Sequence, residues 1–297
     1  MEEFNNLLKI ICNELNIKLT IFPDGWLKIL EKDNKIHYIS GYRFDNNNYA
    51  IGEIMNDKGL FNDLLNYKGI PTVKQKIIFN NYDKNEIMEY FNNHDNEIIV
   101  KGNTSNAGRD VFKVNDLNNL FIVINKLLQK EYSISLSPFY KIKNEYRVIV
   151  LNNEVRLVFG KIKPFIIGNG VNTFKELVLE NNDYYKDNLD NFNNLDYIPK
   201  LNEKIELDFK FNLSKGCKVF TDIPNDLKDK IRSLALNTAK TLNISFASID
   251  VILTDLNELL ILEANTGVTL NNFLKQNNDY YDIVYNIYKD AIKLMFD

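Results

Sequence analysis

Residues 4–15 set Phe4, Leu7, Leu8, Ile11, Cys12 and Leu15 three and four positions apart, the spacing that gathers apolar side chains on one face of an α-helix. The segments IKLTIF and LKILEKDNKIHYIS that follow read as short strands with a hairpin at 32–35, so a small α/β cap opens the chain. A helix in NDKGLFNDLLNYKGIPT ends at Gly69 and Pro71, residues that stop helices. Strand VKQKIIF, a helix near 85–91, strand EIIVKG, the loop NTSNAGRD, strand VFKV, helix LNNLFIVINKLLQ and strand YSISLS come next. From Tyr146 onward, RVIVL, VRLVFGKI and a hairpin near residue 256 predict a mostly antiparallel sheet, with helices over 225–242 and 279–295 packed on it. This order is that of an α+β protein rather than a Rossmann unit. Tyr184 and Tyr185 fall in an Asn- and Asp-rich stretch that reads as a solvated loop. There is no internal repeat and no Pro- or Ser-rich linker, which predicts tightly packed subdomains.

The 297 residues, 45% of them hydrophobic, suffice for two or three subdomains and exclude a disordered chain. A net charge of -4 without a basic cluster argues against nucleic acid as a partner. MEEFNNLLKIICNEL lacks the basic start and apolar run of a secretory signal, and no apolar stretch reaches the roughly 20 residues of a membrane span. A cytoplasmic protein without a membrane partner is expected. Cys12 and Cys217 stand far apart with no metal-ligand spacing, which predicts two buried, inert thiols. His37 and His94 fall outside every motif.

The stretch ASIDVILTDLNELLILEAN places two apolar strands around a polar turn, Asp255 to Glu258. Pairing Thr254 with Leu259 sets Asp250 opposite Glu263, with Asn265 on the face of Glu263. Two opposed carboxylates repel by roughly 4 kcal/mol at 4 Å and an effective dielectric of about 20, which calls for a proton or a cation. Two carboxylates and a carboxamide are hard oxygen ligands suited to Mg²⁺; a solvated hairpin end is the alternative. Upstream, Lys101 closes an apolar strand before a small-residue loop containing Gly102, Gly108 and Arg109. Such a loop presents N–H groups to phosphates while the lysine supplies a point charge. A plain β-hairpin with a snorkelling lysine is the alternative here, and no Walker A motif is present.

Together these segments resemble the ATP-grasp superfamily, most closely the ligase domain of cyanophycin synthetase and glutamate-ligating enzymes of the ribosomal-protein-modifying type. The resemblance runs from about Gly41 to Leu274. It is carried by Lys101, Asn106, Gly108, Arg109 and Val111 in the lid loop, Asp57-Lys58 with Ile70-Pro71, and the stretch EYRVIVLNNEVRLVFGKIKPFIIGNGVNTFKEL. NLSKG at 212–216 and SIDVI with LEAN complete the motifs. It implies an ATP-grasp fold with a cap over 1–70, a lid subdomain over 71–140 and a catalytic subdomain over 141–297.

The resemblance also implies an activity: an ATP- and Mg²⁺-dependent carboxylate–amine ligase, with Mn²⁺ as a substitute ion, acting through an acyl phosphate on small-molecule or peptide carboxylates and amines. The same residues would serve a phosphotransferase or a non-catalytic ATP-binding protein, and a homodimer is among the expected partners. ATP would meet Lys58, Lys101, Gly108 and Arg109 with its phosphates, Pro138 and Tyr140 with its adenine, and Glu145 with its ribose. Asp250, Glu263 and Asn265 would hold the metal. Arg147, Lys161 and Lys215 would stabilise developing anions. Asn212 and Ser214 would contact substrate, or serve as the turn residues that Asn and Ser favour. Ser105 and Asp110 replace lid-loop glycines, and an acid beside the phosphates would weaken ATP binding unless it points away or meets a metal. TGVTLNNF lacks the usual turn after the metal strand, so the acceptor does not carry over by analogy.

Overall fold

The computed structural model describes residues 1–105, 108, 110–181 and 183–297. Helix α1 (Glu2–Glu14) packs Phe4, Leu7, Leu8 and Ile11 against the inner face of an antiparallel meander of β1 (Lys18–Ile21), β2 (Leu27–Lys32), β3 (Lys35–Ser40) and β4 (Arg43–Phe44). The hairpin turn is where the sequence places it. Asp33 and Asn34 adopt φ of 50° and 63°, the left-handed pair that matches the twist of the flanking strands.

Two helices follow, α2 (Tyr49–Asn56) and α3 (Lys58–Tyr67), started by the side chains of Asn48 and Asp57, which accept from Ala50 and Leu60 N–H groups. The expected stop of α3 holds: Gly69 takes φ 67° and Pro71 follows. The pattern of apolar residues gave no sign of α2.

The lid sheet contains β5 (Lys76–Phe79), β6 (Ile98–Gly102), β7 (Val111–Val114) and β8 (Ser133–Pro138) in the order β5-β8-β6-β7. Helices α4 (Lys84–Asn92) and α5 (Leu117–Leu128) cover it through a core that includes Ile87, Phe91, Val100, Leu120 and Ile124.

Strand β9 (Ile142–Leu151) is the centre of the largest sheet. It lies between β10 (Glu154–Ile162) and, after the chain passes through β11 (Phe165–Ile167), α6 (Phe174–Asn181), α7 (Asp183–Lys186), β12 (Lys204–Glu206), β13 (Lys218–Phe220) and α8 (Asn225–Thr241), strand β14 (Phe246–Thr254). With β15 (Leu259–Asn265) the order is β13-β10-β9-β14-β15, antiparallel throughout. The chain closes with α9 (Asn271–Leu274) and α10 (Tyr281–Phe296).

Alternation along β9 decides what each face does. Tyr146, Val148 and Val150 share a core with Ile231, Ala235 and Ala239 of α8 and with Met55, Phe61 and Leu65 of α2 and α3. On the opposite face Ile149 and Leu151 join the core of α1, the meander and α10. At the other end of that face stand Glu145 and Arg147, so one side of a single strand runs from a hydrophobic core into a charged cluster.

One expectation fails. Tyr185 is 3% exposed, packed with Ile166, Phe174 and Leu177 in a satellite core beside the two-stranded β11–β12 sheet, and is no part of a solvated loop. The reason is local: Phe174, Leu177 and Val178 form an apolar face on α6 that Tyr185 covers, and the surrounding Asn and Asp residues obscure this in composition. Cys12 and Cys217 are buried as expected, and burial pushes both thiols up to about 12. Among the described residues no helix is long and apolar enough to cross a membrane.

Candidate functional site

The charged end of β9 is built by register. Asp250 on β14 lies directly across from Arg147, and Lys161 on β10 directly across from Glu145. Glu263 on β15 lies across from Asp250, which aligns Arg147, Asp250 and Glu263 in one cross-strand row on one face. The Asp250–Glu263 pairing expected from the sequence is present, though by a different route. Leu253 rather than Thr254 pairs with Leu259, and a bulge between Asp250 and Val251 restores the offset so that Asp250 meets Glu263 and Ser248 meets Asn265. Bulges of this kind leave no trace in an alternating apolar pattern.

The opposed acids are compensated by the protein itself. Arg147 donates from Nε to Asp250 Oδ1 at 2.8 Å and from Nη2 to Oδ2 at 2.7 Å. Lys161 Nζ donates to Oδ2 at 3.2 Å and also to Glu145 Oε1. Removing such charges from water costs several kcal/mol per ion, so a cluster this deep persists only because each group is paired. Burial pushes the Asp250 carboxyl up, but Arg147 and Lys161 outweigh it and hold it down at about 2. Burial likewise works against the Arg147 charge, and Asp250 more than restores it. For Glu145 burial prevails over Lys161 and raises its carboxyl above the ordinary range.

Glu263 and Asn265 differ from Asp250. Asn265 Nδ2 donates to Glu263 Oε1 at 3.1 Å, which orients both groups. Asn265 Oδ1 and the second oxygen of Glu263 meet no hydrogen-bond donor among the described residues, and Glu263 has no ion pair within 4 Å there. A carboxylate offers about four lone-pair directions, and Asp250 spends three of them on Arg147 and Lys161. The donor set therefore fits a hard divalent cation: oxygens of Glu263 and Asn265 and one remaining direction on Asp250. Among the described residues no group of three or more His, Cys, Asp or Glu side chains forms a metal cluster, so any such site depends on the carboxamide.

Helix α3 and the lid each bring one further cation. Lys58, at the start of α3, is 8% exposed and donates to the carbonyls of Asn103 at 3.2 Å and of Ser105. Asn103 was not singled out by the sequence, yet it is 2% exposed and fixes this corner: its Oδ1 accepts from Gly59 N–H at 3.0 Å and its Nδ2 donates to Ser133 Oγ at 3.1 Å. A buried Asn immediately after a Lys-Gly strand end was the available signal. Lys101, on β6, is 7% exposed and has no hydrogen-bond or ion-pair partner among the described residues. Burial and the nearby Lys58 charge lower it to about 8, while Glu263 acts the other way. Glu263 also favours the charged form of Lys58, so these two lysines and the β15 acid lie within electrostatic reach of each other.

Other expected residues fall around this centre. Pro138 ends β8 at the crossing to β9, and Tyr140 Oη accepts from Lys74 N–H at 2.9 Å, tying that crossing to the start of the lid. Gly108 adopts φ 65°, and its carbonyl accepts from Lys210 Nζ at 3.4 Å. Arg109 and Asn106 lie outside the described residues. Asp110 turns toward Lys130, 3.5 Å away. Asn212 Oδ1 accepts from Ser214 N–H and Oγ at 2.9 and 2.8 Å, the geometry of turn residues. Lys215 stands 5.7 Å from the Tyr184 ring centre and has no acidic partner among the described residues, so the structure does not join it to Arg147 and Lys161.

Comparison with known proteins agrees with this geometry. The family described as RimK-like ATP-grasp domain matches residues 200–287. The glutathione biosynthesis bifunctional protein GshAB of Clostridium perfringens is 24% identical over 271 residues, covering 82% of this chain and 34% of its own length, and that of Streptococcus mutans matches equally. The chain thus spans about a third of the curated relatives it matches. Among solved structures, the D-alanine–D-alanine ligase of Bacillus anthracis superposes with a TM-score of 0.56 at 15% identity, over 82% of this chain and 66% of that one. The bifunctional glutathione synthetase of Pasteurella multocida gives 0.53 at 16% over 90% and 40%. The ATP-grasp ligase PsnB, complexed with a minimal precursor, Mg and ADP, gives 0.52 at 13% over 83% and 60%. The chain has the ATP-grasp fold, as its motifs implied.

Proposed function

We propose that this protein is an ATP- and Mg²⁺-dependent carboxylate–amine ligase, forming an amide or peptide bond through an acyl phosphate and releasing ADP and phosphate. The observation that carries this reading is the juxtaposition of two unlike groups: the cross-strand row Arg147–Asp250–Glu263, and the buried cations Lys58 and Lys101 that sense Glu263. Fold and relatives support it through the ligases they comprise.

Each residue has work of its own in this reading. Lys58 and Lys101 bind the phosphate oxygens, and Lys101 gains there the anionic partner it lacks among the described residues. The Pro138–Tyr140 crossing borders the adenine, and Glu145 accepts from the ribose. Glu263, Asn265 and Asp250 would hold the Mg²⁺, which supplies charge neutralisation on the phosphates. Arg147 and Lys161 fix the charge and direction of Asp250, and each retains an N–H beyond those it spends there.

A substrate carboxylate oxygen attacks the γ-phosphorus as the bond to the β-bridging oxygen breaks and ADP departs. The amine nitrogen then attacks the acyl carbon, phosphate leaves, and the nitrogen gives up a proton. The lid excludes water from the acyl phosphate.

The test is ADP release with hydroxylamine as the trapping amine over a panel of amino acid and peptide carboxylates. A hydroxamate is expected, and Asp250→Asn and Glu263→Gln should each lower its rate at least a hundredfold. A stable phosphorylated product in place of hydroxamate would move the site to the phosphotransferases.

A further inference from the structure

We infer that Arg43 forms a second anion site beside the first, and that it binds a substrate carboxylate that survives the reaction. The inference rests on the ligase reading and adds a substrate class to it.

Arg43 lies on β4 of the cap, where alternation buries its neighbour Phe44 and leaves Arg43 exposed. Two contacts place it. Its backbone bridges to Gly267, two residues beyond Asn265, and its Nη2 donates to Asn56 Oδ1 at 2.9 Å, two residues before Lys58. At 3.8 Å per Cα step each anchor is within about 7–8 Å of a residue assigned to metal or phosphate. A Cβ at Gly267 would meet Arg43 Cγ at 3.7 Å, so the arginine stem lies against the loop that leaves the proposed metal strand. The guanidinium thus stands where the ends of two site elements converge.

The chemistry of the group is unspent. A guanidinium carries five N–H donors in a fork matched to a carboxylate. Arg43 uses one of them, on a neutral carboxamide, and has no acid within ion-pair distance among the described residues. Only five of the 36 basic residues are arginines. Arg147 and Arg156 apply their forks to Asp250 and Asp290. Arg43 differs also from Arg232, which sits on the exposed side of α8, remote in sequence from every site motif. An oriented fork without an acidic partner among the described residues, next to the proposed metal strand, recognises an anion, and the carboxylate that attacks the γ-phosphate loses its own charge once its oxygen is bonded to phosphorus. What Arg43 holds is therefore a second carboxylate: that of an amine substrate which is itself an amino acid or peptide, or the spare one of a dicarboxylic donor.

The experiment first identifies an active pair by ADP release over pairwise mixtures of the 20 amino acids. It then replaces the acceptor by its α-amide in one arm, and an acidic donor side chain by its amide (Glu by Gln, Asp by Asn) in the other. The wild type should prefer the carboxylate at least tenfold in kcat/KM in one arm, and that arm names the source. Arg43→Ala should bring the acid-to-amide ratio near one, and Arg43→Lys should leave an intermediate ratio. Misfolding or a purely structural role lowers both members of the ratio together and leaves it intact. A ratio that persists in Arg43→Ala, or a wild type that discriminates in neither arm, overturns the inference. Hydroxamate formation by the wild type tests the ligase reading separately: its absence removes both, while its presence with a persistent ratio removes Arg43 alone.

Discussion

The two charged regions of this site are built on opposite principles. On the central sheet, Glu145, Lys161 and Asp250 are buried beside the half-buried Arg147, and the four satisfy one another through hydrogen bonds between charged side chains. At the meeting of α3 and the lid, Lys58 and Lys101 are buried nearly as deeply, yet among the described residues Lys58 has only backbone carbonyls and Lys101 has neither carbonyl nor acid. A closed network rigidifies; an open one stores a cost that an incoming anion removes. In the proposed ligase the first region would fix the position of metal and phosphate ligands, and the second would supply attraction for the phosphates.

The contrast breaks first at Asp250. Replacing it by alanine leaves Arg147 and Lys161 buried without their shared anion, for which a loss of about 3–5 kcal/mol is expected. Urea denaturation should show this as a large fall in midpoint, alongside the loss of ADP release. A loss below about 1 kcal/mol would mean that the network is not closed in the sense described.

Lys101 should behave in the reverse direction. Lys101→Met removes an unpaired buried charge, so stability at pH 7 should rise by on the order of 2 kcal/mol while kcat/KM for ATP falls at least a hundredfold. The pH dependence has a definite sign. Because burial lowers Lys101 to about 8 from its ordinary 10.5, the unfolded chain holds a proton between those values that the folded chain has released. The penalty is thus complete below pH 8 and fades toward pH 10.5, and the stability gap between variant and wild type should close over that window. In the same direction, the KM for ATP of the wild type should rise as pH passes about 8.

Lys28 in the cap sharpens the comparison, because burial lowers it to about 8 as well. Its ammonium, however, donates to the carbonyls of Trp26 at 3.0 Å and Gly41 at 2.9 Å. Lys28→Met would strand the Gly41 carbonyl, while that of Trp26 keeps the Gly41 N–H at 2.8 Å, so a net destabilisation of about 1 kcal/mol is expected, with ADP release unaffected. Two lysines with similar shifts and opposite responses to the same substitution would separate a structural cation from a functional one. If both variants gain stability, the distinction fails.

How much of this was legible in the sequence follows the same division. The acids and cations of the closed network sit on strands whose period-two pattern identifies their face, so Glu145, Arg147, Asp250 and Glu263 could be grouped from spacing and motif. The bulge that corrects the β14–β15 register could not, since it is set by the sheet as a whole. Nor could the fact that Arg147 and Lys161, expected to face developing anions, both donate to Asp250. Asn103 and Arg43 went unnoticed because their roles come from contacts with chain segments 44 and 224 residues away, beyond any local pattern. Tyr185 was misread because polar neighbours in sequence are not neighbours in space.

The smallest effect concerns Asp110, an acid in a loop expected to carry glycine near phosphates. Its carboxylate stands 3.5 Å from Lys130, in an ion pair that both partners expose to solvent. Exposed pairs of this kind contribute about 0–1 kcal/mol, so Asp110→Asn should cost no more than a few tenths. Its bearing on ATP is the sharper measurement. An acid facing the triphosphate would repel it, and neutralising the acid would then lower the KM for ATP several-fold. An acid turned to Lys130 leaves that KM within twofold of the wild type, and steady-state kinetics of Asp110→Asn at low salt, where screening is weakest, distinguishes the two.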